Sequence, residues 1–271
     1  MDGAIISLII LSALGGFLSG LLGIGGGVIF APILMYVFEK MGYSGELFSK
    51  LVLANSFAII LLASASASYR HIKTKNIQFK YLWFIGMGGI LTSLATAYYI
   101  SSSGAYSKRA FLMVFLIILL LSLFKILFSS SSSQEVDPSS VKRIKFFLIG
   151  AVTGVISGFT GVGGGIIMVP AFSNVLKIPL KISIGLSSGA IFIFALANVL
   201  QYAFMETVVQ ESAYQIGYIR FDIILYPLLA VLICAPLGVV AAQKVSNKML
   251  KWVFVILLLT IITKTIVSLI S

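Results

Sequence analysis

Charge is scarce in this 271-residue sequence: Asp, Glu, Lys and Arg make up 10% of it, where a soluble domain carries about 25%. There is one cysteine, Cys234, and one histidine, His71. A lone cysteine excludes an internal disulfide framework, and no His/Cys/Asp/Glu spacing forms a metal site. No P-loop and no catalytic triad are present, so neither ATP hydrolysis nor another enzymatic activity is expected. No acidic residue lies well inside an apolar run, so the buried carboxylate of a proton relay is missing; Asp222 stands nearest, at the start of one. No Lys or Arg precedes the first apolar run, so a cleaved signal peptide is not expected.

Hydrophobic residues are abundant, at 59% of the chain, and the mean hydropathy is +1.11. The apolar runs are continuous rather than alternating with period two, which excludes a β-barrel and predicts an all-α polytopic membrane protein. They cover 4–38, 51–69, 81–100, 110–124, 146–176, 182–205, 221–243 and 252–263. The net charge of +11 reads as basic cytoplasmic loops, not as a nucleic-acid surface. Tyr69, Trp83, Tyr98, Tyr99 and Tyr106 flank spans and read as an aromatic belt. His71, in the basic segment 70–80, reads as a solvated loop residue, and Gln201 and Tyr202 as possible path-lining residues near a span end.

The chain repeats itself. Residues 16–32 read GFLSGLLGIGGGVIFAP and residues 154–170 read GVISGFTGVGGGIIMVP. Gly16, Ser19, Gly20, Gly23, Gly25, Gly26, Gly27 and Pro32 meet Gly154, Ser157, Gly158, Gly161, Gly163, Gly164, Gly165 and Pro170 at one constant offset. A weaker echo pairs the segment 50–56 with 181–187. We therefore expect a first repeat over 1–128, a polar linker over 129–143 and a second repeat over 144–271, forming one bundle.

The first run of each half is too long for one span. Residues 4–38 would make a helix of about 52 Å against a hydrocarbon core of about 30 Å. A central GxGGG is poor helix, because glycine costs up to about 1 kcal/mol relative to alanine. The expectation is a broken-helix hairpin in each half, 4–22 with 27–38 and 144–160 with 165–176, followed by three transmembrane helices. Loop charges favour hairpins. They place 13 of the 19 Lys and Arg residues on one side, against 10 if each long run crossed once, and only basic residues set orientation. This puts the linker in the cytoplasm and both termini outside. An odd number of crossings per half makes the two repeats inverted, an arrangement typical of secondary transporters with a site at the repeat interface.

Gly25, Gly26 and Gly27 open one returning helix, and Gly163, Gly164 and Gly165 the other. The first turn of a helix has N–H groups without intrahelical partners, and its dipole favours an anion. Two such ends, with Gly23 and Gly161 beside them, predict a site for a small anion near the bilayer midplane. Ser19, Ser157 and Thr160 stand next to the glycines, and Asn55, Ser56, Ser187 and Ser188 lie on the next span of each half. Tight helix crossing is the competing role for the glycines. No cofactor is expected.

The segments GLLGIGGGVIFAP at 20–32 and GFTGVGGGIIMVP at 158–170 resemble the duplicated signature of the TauE/SafE family, also called the 4-toluenesulfonate uptake permease family. The likeness extends over essentially the whole chain. It implies a cell-membrane transporter of sulfur-containing anions such as sulfite or organosulfonates. The glycines of both motifs, with Pro32 and Pro170, carry over by position. Two alternatives remain beside a carrier: an anion channel of the same architecture, and a membrane subunit of a sulfur-handling complex.

Overall fold

The computed structural model describes residues 2–22, 25–103, 106–128, 135–207, 213–242 and 244–270. They are almost entirely helical. The first half holds α1 (Asp2–Leu22), α2 (Gly27–Lys40), α3 (Gly45–Lys73), α4 (Phe79–Ser103) and α5 (Lys108–Phe128). The second holds α6 (Arg143–Thr160), α7 (Gly165–Pro170), α8 (Leu180–Phe204), α9 (Phe221–Ala242) and α10 (Asn247–Ile270). Among the described residues, α3, α4, α6, α8, α9 and α10 are long and apolar enough to cross a membrane.

Both long apolar runs break where the glycines stand. The helix stops at Leu22 and resumes at Gly27; in the second half it stops at Thr160 and resumes at Gly165. Pro170 lacks the N–H that would continue α7, and the chain passes into a π-helical turn over Ala171–Val175. In the first half Pro32 is accommodated inside α2. The interval 39–50 is the end of α2, a short turn and the start of α3.

Packing between the halves is reciprocal. Helix α1 packs on α9, α6 on α4, α3 on α8 and α5 on α10. Two of these contacts are backbone to backbone. A Cβ on Gly20 would sit 2.0 Å from the Ala235 carbonyl oxygen, and one on Gly238 2.0 Å from that of Phe17. On the other side, a Cβ on Gly154 would meet the Gly89 carbonyl oxygen at 2.4 Å. The repeat-matched glycines at 16 and 20, and at 154 and 158, thus bring the outer arm of each hairpin against the other half, a small-residue interface of the kind membranes favour.

The α6–α7 arm returns to the face from which it starts. The Val136 N–H donates to the Lys177 carbonyl at 2.8 Å, which joins the segment before α6 to the segment after α7. At the opposite face Arg220, just before α9, donates to the Tyr43 hydroxyl at 2.7 Å. The end of α8 therefore lies beside the start of α3, and these two central helices run in opposite directions.

Three sequence expectations change. His71 is not a solvated loop residue: α3 continues through the basic segment to Lys73, and His71 shares its buried face with Ser64, Ala67 and Ser68. Tyr106 does not join the belt formed by the exposed Tyr69, Trp83, Tyr98 and Tyr99. It is buried, its hydroxyl donates to the Phe159 carbonyl at 2.6 Å, and burial pushes its phenol well above the ordinary range. A short antiparallel hairpin, β1 (Gln215–Ile216) and β2 (Ile219–Arg220), connects α8 to α9 where no strand was expected.

Candidate functional site

Each glycine turn enters its helix through left-handed backbone. Gly25 and Gly26 have φ of 76° and 78°, and Gly163 and Gly164 both have 79°. Side chains rarely adopt that conformation, so these positions require glycine. No side chain caps either helix start. The Gly26 carbonyl accepts from Ile29 and Phe30, and the Gly164 carbonyl from Ile167 and Met168. The N–H groups of the first residues of α2 and α7 precede these bonds.

The two turns touch. A Cβ on Gly27 would lie 2.4 Å from the Val162 carbonyl oxygen and 2.5 Å from its Cα. Ile191 of α8 covers both: hypothetical Cβ atoms on Gly25 and Gly163 would meet it at 2.7 and 2.9 Å, and Ile60 of α3 closes on Gly163 at 3.3 Å. Ile60 and Ile191 fall in the same register as the echo pairing Ser56 with Ser187. The motif is thus buried and closed over by one isoleucine from each central helix.

The polar side chains around it divide into two groups. Ser56 donates to the Gly161 carbonyl across the halves at 2.7 Å, and Thr160 donates to Ile156 in its own helix at 2.7 Å. Asn55 is fully engaged. It donates to the carbonyls of Leu51 and Tyr218 and accepts the Arg220 backbone N–H at 2.8 Å. These three hold structure. Ser157, Ser187 and Ser188 are buried with hydroxyls that have no hydrogen-bond partner, a costly state for a native core. Ser157 lies one turn before Gly161. Ser187 and Ser188 lie one turn before Ile191, the α8 residue that packs on both turns. Ser19 is buried too, its Oγ 2.9 Å from where a Gly26 Cβ would stand. Gly23 lies outside the described residues.

Sequence reading missed a charged pair near this centre. Among the described residues Arg220 is the one buried Lys or Arg. Its guanidinium pairs with Asp222 through Nε–Oδ1 at 2.9 Å and Nη2–Oδ2 at 2.7 Å. Its backbone is bound by Asn55, whose neighbour Ser56 holds the Gly161 turn. In the sequence Arg220 reads as one more loop charge; the available signal is its place between Ile219 and Phe221. The pair leaves no net charge there. Gln201 and Tyr202, at the end of α8, keep Oε1 and the hydroxyl buried without partners. The register that pairs Ser56 with Ser187 also pairs His71 with Tyr202, and His71 Nδ1 is likewise buried and unpartnered. No group of three or more His, Cys, Asp or Glu side chains able to hold a metal occurs among the described residues.

Comparison with known proteins gives the family resemblance of the whole chain. The family model "Sulfite exporter TauE/SafE" matches residues 8–265. A probable membrane transporter protein of Methanocaldococcus jannaschii is 30% identical over 249 residues, 90% of this chain and 88% of its own. A probable membrane transporter protein of Haemophilus influenzae is 25% identical over 256 residues, 93% of this chain and 94% of its own. One of Bacillus subtilis is 24% identical, over 70% of this chain and 75% of its own. No solved structure matches the chain significantly.

Proposed function

The chain belongs to the TauE/SafE family of membrane transporters, and from that premise we propose that it carries a small sulfur oxyanion, sulfite or an organosulfonate, bound at the paired glycine turns. The observation that carries the reading is the meeting of two left-handed glycine turns, with three buried, unpartnered hydroxyls one helical turn away along α6 and α8. Backbone N–H groups and serine hydroxyls supply donors without a net charge. Each helix end favours an anion by about 0.3–2 kcal/mol, which gives the modest affinity a carrier needs to release its load. Ile191, packed on both turns, favours a carrier that must rearrange over an open pore.

The reciprocal packing and the opposite directions of α3 and α8 support inverted repeats over 1–128 and 144–271, joined by the linker 129–143. The distribution of basic residues supports a cytoplasmic linker with both termini outside the cell membrane. In a Cys234→Ser background, cysteine at Ser140 should resist impermeant maleimide added to intact cells, and cysteine at Lys40 should react. The opposite pattern contradicts this orientation.

The site itself is tested by Ser187→Ala/Ser188→Ala. Removing two unpartnered buried hydroxyls relieves desolvation of about 1–3 kcal/mol each, so the melting temperature should hold or rise. Uptake should fall, with KM for sulfite raised by about tenfold for each hydrogen bond to a charged ligand that is lost. Unchanged sulfite uptake would remove these serines from the site.

A further inference from the structure

The start of α6 is electrostatically inverted. Lys142 is its N-cap, Arg143 and Lys145 stand in its first turn, and that turn holds no acidic residue. A helix N-terminus carries about half a positive charge, so it favours carboxylates and disfavours cations. Arg143 is drawn aside, its guanidinium 5.6 Å from the centre of the Phe84 ring. Lys142 and Lys145 instead line a cavity of about 420 Å³, where Lys177 joins them from the connection between α7 and α8. Lys177, just past the π-helical turn and its C-cap Leu176, has a left-handed backbone, φ 59°, a common way for a helix to end. The Val136–Lys177 hydrogen bond holds that connection in place. No Asp or Glu lines the cavity. Hydrogen bonds from Ser139, first from its side chain and then from its N–H at 2.7 Å, hold the nearby Asp137 carboxyl below its ordinary pKa.

We infer that this cavity binds a phosphate group. Three lysines from two segments line it as donors, while Val136, Val141, Val175 and Leu176 form an apolar wall; the Ser140 hydroxyl, also in the lining, already donates to the Asp137 carbonyl at 2.8 Å. Basic loops on one membrane face explain why lysines occur here. They do not by themselves bring a lysine from after α7 into one cavity with two from the start of α6. The chemistry is shared by the phosphodiester of an anionic lipid and by phosphate free in the aqueous phase; basic pockets at the ends of transmembrane helices recognise such headgroups. This site is separate from the glycine turns and does not rest on the substrate proposed for them.

The test uses the full chain in neutral detergent, wild type and Lys142→Gln/Lys145→Gln/Lys177→Gln. Thermal unfolding is followed with phosphatidylglycerol, phosphatidylcholine or inorganic phosphate at matched ionic strength. The wild type should be stabilised by phosphatidylglycerol or by inorganic phosphate, and not by phosphatidylcholine. Each lysine removed should weaken the apparent affinity about fivefold. A response to phosphatidylglycerol alone assigns a lipid headgroup, and one to inorganic phosphate assigns a soluble phosphate. Lys142→Arg/Lys145→Arg/Lys177→Arg should keep the response, which separates loss of charge from damage to the fold. No response from the wild type to either phosphate probe, or equal responses from wild type and the glutamine variant, would overturn the assignment.

Discussion

Gly27→Ala should abolish transport while the protein still inserts in the membrane. Gly27 is the first residue of α2, and alanine is intrinsically the better helix former there by up to about 1 kcal/mol. Any loss therefore comes from what the new methyl group meets, which is the Val162 backbone at 2.4–2.5 Å. A flexible side chain could swing away; a backbone carbonyl in a glycine turn cannot without parting the two turns. Gly26→Leu and Gly164→Leu should act in the same direction for a different reason. Each position needs a φ near 79°, which costs a side-chain-bearing residue about 1–2 kcal/mol, and Gly26 also faces Phe30 and Ser19 within 3.0 Å. Uptake into proteoliposomes, normalised to inserted protein, should drop to background for Gly27→Ala. Wild-type uptake by that variant would reduce the contact between the turns to incidental packing.

The second large effect belongs to Arg220. Arg220→Leu leaves Asp222 without its bidentate partner and the Tyr43 hydroxyl without its donor. Breaking a fully buried pair costs about 3–5 kcal/mol. The Asp222 side chain is 30% exposed, so about 1–3 kcal/mol is the appropriate expectation here. That corresponds to a melting temperature lower by roughly 2–12 °C at this chain length. Transport should fall as well, because the strand that Arg220 ends is bound by Asn55, and Ser56 beside it holds the Gly161 turn. Arg220→Leu/Asp222→Leu should recover most of the stability, since an apolar replacement of both partners leaves no uncompensated charge. A single variant that melts with the wild type would show that the pair does not anchor the hairpin.

Much of the helical layout is legible locally. The restarts at Gly27 and Gly165 can be placed because a glycine cluster inside an overlong apolar run has no other stable outcome in a membrane. The identities between the two GxGGG segments mark which turns correspond. What local pattern does not carry is contact between distant segments. His71 follows Arg70 and precedes Lys73, so its surroundings in sequence are polar, yet helical spacing from Ser64 and Ala67 turns it inward. Tyr106 sits at a span boundary like the belt aromatics, and only the nearby end of α6 gives its hydroxyl the Phe159 carbonyl. Among the candidate ligands, nothing in the sequence separates Asn55 and Thr160, which are satisfied by their own surroundings, from Ser157, Ser187 and Ser188, which are not. For Asn55 that division depends on atoms the other half places within reach, and for Thr160 on the carbonyl one turn back in its own helix.

The most direct measurement is flux of labelled sulfite into proteoliposomes holding the purified protein, with and without an applied membrane potential. An anion site built from the glycine turns predicts saturable uptake, inhibition by an organosulfonate and not by amines or sugars, and a current whenever the ionised form moves alone. Uptake of a cation, untouched by any sulfur oxyanion, would contradict it.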